Sequence, residues 1–171
     1  MVTRAAALSP EQVRGWLAEV VDPEIPVLTI DDLGVLRAVE VAGDAAVVTI
    51  TPTYSGCPAM DAIRDDITRV LGEHGMRQVE VRTVLAPAWT TDWIGPGARA
   101  KLAAAGIAPP AVPSRGLSPT PGPVPVALGV RCPRCGSTRT RVLSRFGSTA
   151  CKQLHACADC GEPFDHLRTL A

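Results

Sequence analysis

The sequence predicts an α+β protein in two parts, a small α-β-β-α-β sandwich followed by a compact four-cysteine module. Three observations carry this. Apolar residues in the first hundred positions switch between helical spacing and short strand-like runs. Seven of the sixteen prolines crowd between Ala108 and Val126. Beyond them, four of the six cysteines form two Cys-x-x-Cys-Gly pairs.

Ser9-Pro10-Glu11-Gln12 reads as a helix start, with Ser9 as cap, Pro10 in the first turn and Gln12 closing a capping box. Val13, Trp16, Leu17, Val20 and Val21 then recur at helical spacing, and Asp22-Pro23-Glu24 stops the helix. Val35–Val41 and Ala45–Thr51 read as strands joined by a Gly43-Asp44 turn, hence a hairpin. A second helix follows Cys57-Pro58, with Met60, Ile63, Ile67, Val70 and Leu71 on one face and Gly75 near its end. Val79–Leu85 makes a third strand, and the helices are expected on one face of the sheet.

The proline-rich stretch, with Ser, Gly and small residues between its prolines, cannot build a core and reads as a semi-rigid spacer. It sets the expected division: residues 1–107 a first domain, 108–126 a linker, 127–171 the cysteine module. Within that module Thr138–Arg145 and Phe164–Leu170 read as strands.

The pairs Cys132-Pro133-Arg134-Cys135-Gly136 and Cys157-Ala158-Asp159-Cys160-Gly161 lie twenty-one residues apart. That spacing marks a tetrahedral four-thiolate metal site, a zinc ribbon; iron suits the same ligands. Each glycine permits φ > 0, so that backbone N–H groups can turn toward sulfur. The module has little apolar surface of its own, so the metal should supply most of its folding free energy, on the order of 10 kcal/mol.

The formal net charge is zero, which argues against a broad basic face for nucleic acid or an acidic tail for a basic partner. Met1 to Pro10 lacks the apolar core of a signal peptide, and no stretch approaches the roughly 20 apolar residues of a membrane span. The expectation is a soluble, cytoplasmic protein without a membrane partner, its thiols reduced and free to hold metal.

Cys57 stands where a strand gives way through Thr51-Pro52-Thr53-Tyr54-Ser55-Gly56 to a helix. The positive end of the helix dipole there favours thiolate, the form that attacks or binds metal; a small cysteine packed under the turn is the equal alternative. No second cysteine is near in sequence, so a cluster would need a ligand from elsewhere or from a second chain. Asp22 and Glu24 sit on a proline-stiffened loop, as hard oxygen ligands for iron or as an Asx turn, with the turn favoured. Trp89 and Trp93 suit a docking patch or core packing equally. Cys151 reads as a packed residue, although Lys152 beside it favours thiolate. His155 is a minor alternative as a metal ligand, and His74 and His166 have no evident partner. No GxGxxG, P-loop, HExxH or nucleophile elbow is present, so no complete catalytic site is legible.

Together, Asp22-Pro23-Glu24-Ile25-Pro26-Val27, Leu33-Gly34, Thr51–Pro58, Trp89-Thr90-Thr91-Asp92-Trp93, Phe146–Lys152 and Glu162-Pro163-Phe164 resemble the PaaD-type subunit family of bacterial phenylacetyl-CoA epoxidases (phenylacetate-CoA oxygenases). The N-terminal half also resembles SufT-like iron–sulfur assembly domains, which share the DPE loop and the TxxxCP motif. The resemblance implies that Cys57 is the functionally required residue and, more weakly, that Asp22 and Glu24 matter. It implies a non-catalytic accessory subunit in phenylacetate catabolism, partnered by the other epoxidase subunits. Such a subunit would help install iron or an iron–sulfur cluster, with Cys57 a transient ligand across a homodimer and the ribbon docked on the client.

Two other readings compete. One is a structural subunit that stays docked on the epoxidase permanently. The other is a nucleic-acid-binding ribbon, to which Arg131, Arg134, Arg139, Arg141 and Arg145 lend a local positive bias. Only Phe146 and Phe164 are on hand there for stacking, and the first domain has no matching basic cluster.

Overall fold

The computed structural model describes residues 8–110 and 129–168, and the chain divides into two compact units, Met1–Trp89 and Thr90–Ala171. From residue 111 on, the expected linker lies outside the described residues.

In the first unit, α1 (Pro10–Trp16) opens with the expected capping box: Gln12 N–H donates to Ser9 Oγ at 3.2 Å, and Ser9 N–H to Gln12 Oε1 at 2.9 Å. The helix is shorter than its apolar spacing predicts. It tightens into a 3₁₀ turn over Leu17–Glu19, and Val20 is already extended. Val21 therefore leaves the helical face; it is exposed and bridges Thr29. The strands β1 (Leu36–Ala42), β2 (Ala45–Ile50) and β3 (Gln78–Thr83) form one sheet in that order. β1 and β2 pair antiparallel as the predicted hairpin, whereas β2 and β3 pair parallel. A parallel pair needs a crossover, and α2 (Ala59–Glu73) supplies it.

Met60, Ile63, Ile67, Val70 and Leu71 of α2 are buried, as their spacing predicts, and so are Ala46, Val48 and Ile50 of the central strand. Ile63, Ile67 and Leu71 are almost wholly excluded from solvent, each contributing about 1.5–3 kcal/mol of burial. Trp89 belongs to this core. It is 5% exposed and its indole N–H donates to the Leu33 carbonyl at 2.8 Å, which removes it from any docking patch. Trp93 is partly buried.

The second unit contains a helix that periodicity does not announce, α3 (Pro96–Ala104). It is alanine-rich, and only Ala98 and Leu102 are buried, so it has no apolar stripe to read. Arg99 ties its surroundings together, donating through Nε to the Ile94 carbonyl and through Nη2 to that of Thr91, each at 3.0 Å.

The ribbon is a three-stranded antiparallel sheet, β4 (Thr140–Ser144), β5 (Lys152–Cys157) and β6 (Pro163–Leu167), in sequence order. The central strand β5 is an addition to the two strands expected. Its small and polar residues carry no clean alternation, and pairing on both sides makes it a strand. Ala108 joins β6 by a parallel bridge: its N–H donates to the Asp165 carbonyl, and its own carbonyl accepts from Leu167.

Candidate functional site

The two cysteine knuckles are built alike. Cys132 N–H donates to the Ser137 carbonyl at 2.8 Å, and Cys157 N–H to that of Glu162 at 2.9 Å. Gly136 and Gly161 return N–H bonds to the carbonyls of Cys132 and Cys157. Both glycines take φ near +75°, the left-handed turn expected of them. The first cysteine of each knuckle is buried and the second exposed.

All four Sγ atoms lie within 4.8 Å of one another; Cys132 and Cys160 are 3.8 Å apart, Cys135 and Cys157 3.5 Å. A tetrahedral ion with metal–sulfur bonds of ~2.3 Å needs sulfur–sulfur edges of about 3.8 Å, so the four thiols fit a single ion. The backbone N–H of Cys160, joined by that of Asp159, holds the Cys157 thiol below its ordinary value against the opposing effect of burial. Ion pairs from Arg134 to Glu162 and from Arg139 to Asp159 tie one knuckle's surroundings to the other's. Phe164, Ala108 and Val130 pack against Cys132 and Cys157. His155 is no fifth ligand in this set; its ring stacks on Phe164, and its Nε2 lies 3.4 Å from Gln153 Oε1.

The second set is in the first unit. Asp22 Oδ1 accepts N–H bonds from Glu24 and Ile25, both at 2.8 Å, and Asp22 N–H donates to the Leu28 carbonyl. This is the Asx turn the sequence favours, closed at its base by the Val21–Thr29 bridge. Asp22 is buried and Glu24 half-buried. Cys57 is half-buried just before α2, and its sulfur is engaged by the Ala59 N–H and the Thr53 side chain.

Burial leads in raising the Cys57 pKa, and the charges of Glu24 and Asp22 add to it. The hydrogen bonds from Ala59 and Thr53 work the other way and are outweighed. Of the two readings that position leaves equal, this balance favours the packed thiol over a helix-activated thiolate. The structure also brings the charges of Asp22 and Glu24 to bear on a sulfur more than thirty positions away in the chain. Unlike the ribbon cysteines, Cys57, Asp22 and Glu24 do not close into a compact ligand set; among the described residues the ribbon alone does so.

Thr53 is a contact that residue type alone does not reveal, although it lies inside the TxxxCP motif. Cys151 is buried as expected, with Thr149 Oγ1 3.0 Å from its sulfur. His74 finds partners that spacing could not reveal, stacking on Trp16 at 4.5 Å and placing Nε2 3.1 Å from Glu19 Oε1.

Residues 118–168 match the PaaD zinc beta ribbon domain family, and residues 10–84 the iron–sulfur cluster assembly protein family. The chain is 46% identical, over 98% of its length and 99% of the relative's, to an Escherichia coli (strain K12) protein provisionally named as a 1,2-phenylacetyl-CoA epoxidase subunit. The chain belongs to the PaaD family. Its N-terminal half is also similar to shorter proteins. An Fe-S protein maturation auxiliary factor of Porphyromonas gingivalis is 36% identical over 54% of this chain and 89% of that protein. The crystal structure of a domain of unknown function from Bacillus anthracis superposes with a TM-score of 0.52 at 29% identity, covering 54% of this chain and 90% of that one. The PaaD family chain thus has the α+β fold of that domain, extended by a metal-binding four-cysteine ribbon. No helix among its described residues is long and apolar enough to cross a membrane.

Proposed function

We propose that this protein is an accessory subunit that helps mature an iron or iron–sulfur centre of a phenylacetyl-CoA epoxidase, with Cys57 as a transient ligand to the iron being delivered. The observation that carries this is that the charges of Asp22 and Glu24 act on Cys57 in the half that matches iron–sulfur assembly proteins, on a chain whose other half matches the PaaD ribbon.

Negative charge that raises a thiol's affinity for a proton also raises its affinity for a metal cation. Burial, with the charges of Glu24 and Asp22 adding to it, therefore keeps Cys57 protonated and quiet until iron replaces the proton. An incomplete ligand set suits cargo that must leave again, and a ligand from the client or from a second copy would complete it. The ribbon cysteines hold a resident ion, which we assign as zinc, and that ion supplies folding energy rather than chemistry.

The test is the iron content of the oxygenase subunit and the reductase of the epoxidase, purified from cells lacking this protein. Iron-poor subunits that regain iron with the wild-type chain but not with Cys57→Ser support delivery through this thiol. Fully loaded subunits in a complex that is inactive or falls apart would make the protein a structural subunit, with Cys57 merely packed.

A further inference from the structure

Among the described residues, three of the six exposed large apolar side chains fall within five positions of the ribbon: Val142 at 50% exposure, Leu143 at 44% and Phe146 at 67%. They lie on or just after β4, an edge strand of its sheet. A register shift between Val142 and Ser144 leaves Leu143 as the extra residue, the kind of bulge that re-aims a side chain and spoils an edge for further pairing.

The loop that carries Phe146 is pinned from below. Gly147 N–H donates to the Lys152 carbonyl at 2.8 Å, and a Cβ on Gly147 would come within 2.9 Å of Asp165 Oδ1. Ser148 Oγ donates to Asp165 Oδ2 at 3.3 Å, and the Lys152 ammonium, its side chain 7% exposed, lies 3.8 Å from the same oxygen. Burying a lysine–carboxylate pair brings little net stability. Here it holds in one shape the loop that puts a phenylalanine into solvent, and a preordered aromatic is what a docking anchor requires.

The charges say what the anchor meets. The ribbon's three carboxylates, Asp159, Glu162 and Asp165, are taken up by Arg139, Arg134 and Lys152. Arg141 and Arg145, which flank Val142 and Leu143 and precede Phe146, are exposed and form no ion pair among the described residues. The neutral chain also hides a division: residues 1–89 hold thirteen of the seventeen acidic residues, and residues 90–171 hold ten of the seventeen basic ones.

We infer that the surface of Arg141, Val142, Leu143, Arg145 and Phe146 docks on a partner protein, at an acidic patch with an apolar recess that takes Phe146. Two free cations beside three apolar side chains are too few for a phosphate backbone. The inference rests on the reading that this chain serves the epoxidase, because that reading supplies the partners.

Binding of the full-length chain to each purified epoxidase subunit of the same organism tests it, from about 50 to about 300 mM salt. Phe146→Ser and the paired Arg141→Glu, Arg145→Glu variants should each weaken binding to one subunit by about tenfold or more, with the wild-type affinity falling as salt rises. Arg141→Lys, Arg145→Lys should bind nearly as wild type. Binding is measured without iron, and iron transfer is scored separately, so that failure of docking is distinguished from failure of iron delivery. Unchanged metal content and circular dichroism establish that the variants fold. Wild-type affinity in both the Phe146 and the glutamate variants, or no subunit bound by the wild-type chain, overturns the inference. So does preferential binding of a short DNA duplex or of phosphatidylglycerol vesicles that the glutamate pair abolishes.

Discussion

The imidazole of His166 stands edge-on to that of His155, with ring centroids 5.1 Å apart and planes at 81°, and each ring keeps a buried Nδ1 without a hydrogen-bond partner. Burial, and then the neighbouring His155, hold the His166 pKa down to about 4. Above pH ~6.5 neither the folded nor the unfolded state carries this proton. Below it the unfolded chain binds one and the folded chain does not until about pH 4, so stability is lost as pH falls through that window. Relative to His166→Gln, the metal-loaded wild type should lose about 1.5 kcal/mol between about pH 7.5 and about pH 5.5, read from urea midpoints.

Cys57 offers a test of opposite sign. Its raised pKa keeps thiolate scarce at neutral pH and lets it appear only above the ordinary thiol range. Alkylation by iodoacetamide, followed by peptide mapping, should be slower than for an unhindered cysteine at neutral pH and climb steeply above about pH 9. Asp22→Asn and Glu24→Gln each remove a charge that opposes the thiolate, so both should speed the reaction and move its midpoint down. A midpoint below that of free cysteine would contradict the electrostatics described.

Metal removal should act on one unit. A chelator that empties the four ribbon cysteines should abolish the ordered amide spectrum of β4–β6 while leaving that of β1–β3 and α2, because metal binding supplies on the order of 10 kcal/mol to such modules. Cys135→Ala should reproduce the effect without chelator. Loss of signal from the first unit as well would show that the two units unfold as one.

Trp89 offers a stability test away from both sites. Trp89→Phe keeps most of the apolar volume but leaves the buried Leu33 carbonyl without its donor, at a cost of about 1–3 kcal/mol. Trp89→Ala adds a cavity and should cost about 3–5 kcal/mol. Equal losses in the two variants would mean that the hydrogen bond, not the packing, dominates.

Much of the fold is legible in the residues because local chemistry dictates it. The Ser9–Gln12 capping box, the hairpin through Gly43 and the buried face of α2 all follow from neighbours a few positions apart. The ribbon cysteines are legible for the same reason, since each knuckle is one tight turn. What stays hidden lacks a local signal. α3 has no apolar stripe, and β5 is a strand because both of its neighbours pair with it.

By itself, then, the sequence determined which four thiols share a metal and where Cys57, Asp22 and Glu24 stand along the chain. Only the tertiary structure decided that the charges of Asp22 and Glu24 reach Cys57, that Trp89 is core, that His74 rests on Trp16, and that Asp165 pins the loop beneath Phe146. It also tipped the balance at Cys57, which position alone left open, toward the thiol. A helix start favours thiolate through nearby backbone N–H groups, but burial and carboxylates brought from a distant loop oppose it, and their sum exists only once the chain has folded.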